Sequence, residues 1–64
     1  MTIVLTSEEI NNHYLTIEQE KYDIGYTVTD TEIRGGYGCW TEKRYYGTMK
    51  QARRRFSNLR KKYM

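Results

Sequence analysis

The amino-acid sequence predicts an α+β domain: a short N-terminal helix, a small antiparallel sheet of two or three strands, and a basic amphipathic C-terminal helix packed on the sheet. Three patterns point to it. Thr6 and Glu9 form a capping-box pair ahead of apolar residues at helical spacing. Side chains alternate between apolar and polar over residues 22–29. Met49, Ala52, Phe56, Leu59 and Tyr63 then step by three, four, three and four, giving a single apolar stripe on a helix. Residues 1–64 are read as one small domain.

The first helix is placed after Thr6, with Leu5 and Ile10 at the staple positions and Glu8 and Glu9 favourable for the helix dipole. Ile10, Tyr14 and Ile17 follow at helical spacing, but residues 14–18 also alternate as a strand would, so the helix is ended near Leu15. Over residues 22–29, Tyr22, Ile24, Tyr26 and Val28 share one face of a strand, with Asp23, Gly25, Thr27 and Thr29 on the other. Residues 30–36 are read as a turn, in which Gly35 and Gly36 are free to take positive φ. A second strand is expected over residues 37–46. Gly47 then ends the strand, Thr48 is a natural N-cap, and Gln51 completes a capping box for the C-terminal helix.

A chain of 64 residues has a thin core and usually needs a staple. Cys39 is the only cysteine, so no internal disulfide forms, and no Cys/His set offers the ligands of a structural zinc site. Strong local propensity, or association into a homodimer, is left as the support. The run at residues 2–5 is too short for a signal peptide or a membrane span, which predicts a cytoplasmic protein without a membrane partner.

Charge is sorted along the chain. Residues 1–32 carry seven acids against Lys21, whereas residues 33–64 carry ten bases against Glu42. The formal net charge of +3 therefore hides a strong asymmetry. Seven of the bases fall between positions 50 and 62, with no acid among them. On the helix, Lys50, Arg54 and Lys61 lie opposite the apolar stripe, Arg53 and Arg60 on one flank, Arg55 and Lys62 on the other. The planar fork of arginine suits phosphate or carboxylate. Such a face is either a binding surface or a solvated one, and the missing i,i+4 glutamates favour binding. The two halves could also neutralise each other once folded. Tyr37, Trp40, Tyr45 and Tyr46 stand beside Lys43 and Arg44, and aromatics interleaved with bases can stack on nucleobases and clamp phosphates. About half of the seven tyrosines and the one tryptophan are expected in the core.

Other residues carry less. Residues 35–38 are glycine-rich but lack the Lys-Ser/Thr continuation of a phosphate-binding loop, so a plain turn or bulge is expected. His13 is read as a polar residue on the helix surface, and Cys39 as a small, partly buried side chain. The carboxylate pairs Glu18/Glu20 and Asp30/Glu32 sit among polar residues, and a chain this short can hardly build the desolvating pocket that acid–base catalysis requires. No catalytic residue, cofactor or metal is predicted.

The segment KRYYGTMKQARRRFSNL, residues 43–59, resembles the end of the sheet-plus-helix DNA-binding modules, the AP2-like domains and the arm-binding domains of phage integrases. Lys43 and Arg44 match the bases of the last strand, Thr48 the helix cap, and Ala52, Phe56 and Leu59 the packed face. The resemblance implies DNA contact mainly from the sheet, through Arg34, Lys43 and Arg44. The acids of the first half depart from that pattern. In size and tyrosine content the chain is also similar to small phage proteins, anti-CRISPR inhibitors among them.

The expected function is that of a non-enzymatic nucleic-acid-binding module. Its candidate contacts are Lys43, Arg44, Lys50, Arg53, Arg54, Arg55, Lys61 and Lys62, with Tyr37, Trp40 and Tyr46 as stacking platforms. The alternative is a small phage-type regulator or inhibitor that binds a nucleic-acid-handling protein and blocks its nucleic-acid site.

Overall fold

The computed structural model describes residues 2–20 and 24–64. Four strands, β1 (Thr2–Ile10), β2 (His13–Glu20), β3 (Tyr26–Arg34) and β4 (Tyr37–Tyr46), precede one helix, α1 (Met49–Tyr63). The strands form an antiparallel sheet in the order β1-β2-β3-β4. The fold is thus α+β with the C-terminal helix as expected, but the sheet has four strands where two or three were expected, because residues 2–10 and 13–20 pair as a hairpin.

The expected N-terminal helix does not form. Thr6 and Glu9 lie in β1 and pair with Ile17 and Tyr14 of β2, with a bulge at Leu5 where the register shifts between Val4 and Thr6. The physical reason lies in Asn11 and Asn12, which take φ of 47° and 65°. Asparagine tolerates the left-handed region, and two consecutive positive φ values make the tight turn that matches strand twist. Ile10 and His13 pair across it. The β-branched residues Ile3, Val4, Thr6, Thr16 and Ile17 then favour strands over a helix too short to hold itself together.

Strand β3 keeps the expected phase but not the expected ends. Tyr26 and Val28 face the helix, while Ile24 sits in a bend before the strand, 88% exposed. The expected strand residues Tyr22 and Asp23 lie outside the described residues. Residues 30–34, read as turn, continue the strand. Only Gly35 and Gly36 are needed to reverse the chain, with φ of 59° and 86° between the paired Arg34 and Tyr37. A bulge at Cys39 follows, where Ile33 pairs with Gly38 and Glu32 with Trp40.

Helix α1 forms where its cap and stripe place it. The Thr48 hydroxyl accepts from the Gln51 backbone N–H at 3.3 Å. Ala52 and Leu59 are buried against Leu15, Ile17 and Val28, with Met49, Phe56 and Tyr63 half-buried around them. The extents of 34 × 24 × 15 Å correspond to one helical layer on one sheet layer. The register places Ser7, Thr16, Thr29 and Lys43 in one row on the sheet face turned away from α1. Thr16 and Thr29 bond to each other through their hydroxyls and are buried by their neighbours. Gly25 is buried because the Tyr45 hydroxyl stands 1.8 Å from where a Cβ would be, so any side chain there would displace the ring.

Candidate functional site

The C-terminus of α1 is pinned by a cluster drawn from β2, β3 and the turn between β1 and β2. Asp30 is buried, accepts a hydrogen bond from the Tyr63 hydroxyl, and lies 3.0 Å from Nδ1 of His13. The His13 and Tyr63 rings stack at 3.6 Å with 6° between their planes. The Asn11 carboxamide donates to the Tyr63 carbonyl and so satisfies one of the free helix-end groups. The bond to Asp30 pushes the Tyr63 phenol up to about 12, with burial and the Asp30 charge adding to it. Two expectations are corrected here. His13 is a half-buried strand residue rather than a helix-surface one, and Asp30 is buried among partners rather than solvated.

The flanks of α1 are anchored to sheet carboxylates. Arg60 pairs with Glu8 of β1 on one side, and Arg55 reaches Glu42 of β4 at 2.9 Å on the other. Glu42 also takes Arg44 at 2.9 Å, and Arg34 pairs with Glu32 at 2.9 Å. The hydrogen bond from Arg44 holds the Glu42 carboxyl below its usual range, with the charges of Arg44 and Arg55 adding to it against some desolvation. The same contact raises Arg44 further. Part of the charge asymmetry is therefore resolved inside the fold.

The outer face of the helix, with the flank residues Arg53 and Lys62, is different. Among the described residues, Lys50, Arg53, Arg54, Lys61 and Lys62 form no ion pair, and Lys62 instead lies 5.4 Å from the Tyr63 ring. The first three fall in the first and second turns and the last two at the C-terminal end, with Ser57 and Asn58 between the two groups. No acidic residue occurs in α1 to interrupt them.

The other expected contacts are dispersed. Arg34, Lys43 and Arg44 do not form one reading surface. Arg44 pairs across from Val28 on the helix side, Lys43 across from Thr29 on the bare side, and Arg34 beside the glycine turn. The acids Glu9 and Glu18 share the bare face with Lys43. Tyr37 and Trp40 are exposed at 78% and 59%, whereas Tyr46 is half-buried against the core. Cys39 is exposed at its bulge, not partly buried, with Sγ 3.7 Å from the Tyr37 carbonyl.

Two residues absent from the expected site, Gln51 and Asn58, join Arg54, Arg55 and Tyr46 in lining a shallow concavity of about 200 Å³ between β4 and α1. Their signal was present in the helical phase, since 51, 54, 55 and 58 fall on one flank. Among the described residues no group of three or more His, Cys, Asp or Glu side chains could hold a metal, and no helix is long and apolar enough to cross a membrane. No family model matches the chain, and searches of curated proteins and of solved structures find no match.

Proposed function

We propose that this chain is a non-enzymatic nucleic-acid-binding module that lays the outer face of α1 along phosphates. One observation carries this: the bases on that face are unpaired, while four other arginines pair with three glutamates of the sheet. Five bases over some four turns suit a phosphate backbone, and arginine's fork adds directional contacts. The likeness of residues 43–59 to sheet-plus-helix DNA-binding modules fits this role, with the contact moved from the sheet to the helix because the strand bases do not share a face.

A second role, a small regulator that seats on a protein, is favoured by the exposed apolar run Ile3, Val4 and Leu5 on edge strand β1. Titration of labelled duplex and single strands at two salt concentrations separates the two. Nucleic-acid binding is expected in the micromolar range, weakening steeply with salt. Affinity weaker than about 100 μM for both forms at about 50 mM salt would overturn it and leave the protein-binding role.

A further inference from the structure

We infer that the concavity between β4 and α1 receives an unpaired base of a single strand, whose phosphate lies on Arg54. This rests on the nucleic-acid role proposed above and specifies its substrate. The concavity is lined by one aromatic ring, Tyr46, two guanidinium groups, Arg54 and Arg55, and two carboxamides, Gln51 and Asn58. No carboxylate lines it.

Its chemistry narrows the ligand by steps. At about 200 Å³ it falls below the roughly 300–1,000 Å³ of sites that take drug-sized ligands or cofactors. Two guanidinium groups exclude a metal cation and call for an anion nearby. A carboxylate or a lone phosphate would use the arginines and the carboxamide N–H groups but offer no donor to the two carboxamide oxygens. A nucleobase uses them, because Gln and Asn each present a donor and an acceptor that match the paired groups on a base edge. Tyr46 supplies a ring beside that edge, as stacking requires.

The two arginines are placed for different tasks. Arg55 is held at 2.9 Å by Glu42, a carboxylate it shares with Arg44, so its charge is partly compensated. Arg54 has no ion-pair partner and belongs to the basic strip that includes Lys50 and Lys61. A strand that placed one base in the concavity would therefore continue with its backbone along the outer face of the helix. A base inside a duplex is stacked and paired, and cannot enter; an unpaired one can.

The test is fluorescence anisotropy with end-labelled homopolymer single strands of dA, dT and dC and a matched duplex, using the parent and a Gln51→Ala/Asn58→Ala variant. Alanine is a strong helix former at both positions, and the Thr48 cap uses the Gln51 backbone rather than its side chain. Circular dichroism checks that the variant folds. The parent should bind its preferred single strand at least about fivefold tighter than duplex, as one base stack would give. The variant should lose that preference to within about twofold while its salt dependence stays that of the parent. Salt-dependent binding without a single-strand preference, or a preference that survives in the variant, would overturn the base site and leave the phosphate-binding role standing. Failure to bind either form would overturn both.

Discussion

Arg55 and Arg60, one on each flank of α1, each meet a glutamate, whereas their flank neighbours Lys62 and Arg53, and Lys50, Arg54 and Lys61 on the outer face, meet none. Arg54 is the same kind of side chain as Arg55 and Arg60, so the difference lies in what the sheet offers it. On the flanks it supplies Glu42 and Glu8, and the pairs fasten the helix edges to β4 and β1. The outer face is left with charge that the fold does not use. A chain with a formal +3 can thus be largely neutral inside and strongly basic along one line.

The comparison is sharpened first on the underside, where the largest effect is expected. Leu59 is 2% exposed, and Leu59→Ala should destabilise by about 2–5 kcal/mol through lost burial and a residual cavity. That is a large part of the stability of an ordinary domain. Thermal or urea melts measure it, and a variant melting within a few degrees of the parent would mean that the helix does not carry the core.

Tyr63 comes next. Tyr63→Phe removes the hydroxyl that donates to buried Asp30, and leaving that acceptor short should cost about 1–3 kcal/mol. The pH dependence has a definite sign. The folded-state value is raised to about 12 from an ordinary 10, so the folded protein holds the phenol proton more tightly than the unfolded chain. The resulting stability is complete below about pH 10 and is lost as pH rises through about 12. Melts across that window should fall more steeply for the parent than for Tyr63→Phe; parallel curves would remove Asp30 as the cause.

A smaller effect on stability, and an opposite one on binding, is expected at the flank. Glu42→Gln frees both Arg44 and Arg55 and takes the formal charge from +3 to +4, one acid fewer. The melting temperature should drop by less than for Tyr63→Phe, whereas nucleic-acid affinity should rise and become more salt-dependent. Unchanged affinity would mean that the flank arginines lie away from the bound strand.

How much of this was legible in the sequence follows from how local each feature is. Helix α1 was legible because its cap, its stripe and its charged outer face all lie within residues 48–63. The glycine turn was legible for the same reason. Strand β1 was not, since Thr6 and Glu9 satisfy a capping pattern by spacing alone, and the decision belongs to Asn11, Asn12 and a partner strand. Asn-Asn is a weaker turn signal than Asn-Gly, which is why the hairpin was easy to miss. The ion pairs were invisible for a further reason. Glu8 and Arg60 are brought together only when β1 and α1 share a sheet face, and Asp30 is buried only because His13 and Tyr63 arrive from opposite ends of the chain. The basic strip could be drawn from helical phase, but which bases remain unpaired could not.

The contrast between flank and outer face is tested most directly by the salt dependence of nucleic-acid binding in the parent and in a Lys50→Gln/Arg54→Gln/Lys61→Gln variant. These exposed side chains have no ion-pair partner, so the variant should stay within about 0.5 kcal/mol per site of the parent in stability. The slope of log affinity against log salt should be roughly −4 for the parent on duplex, and shallower by about 2–3 in the variant, one counterion for each lost contact. Equal slopes in two folded proteins would contradict the claim that the outer face of α1 is the surface that meets phosphate.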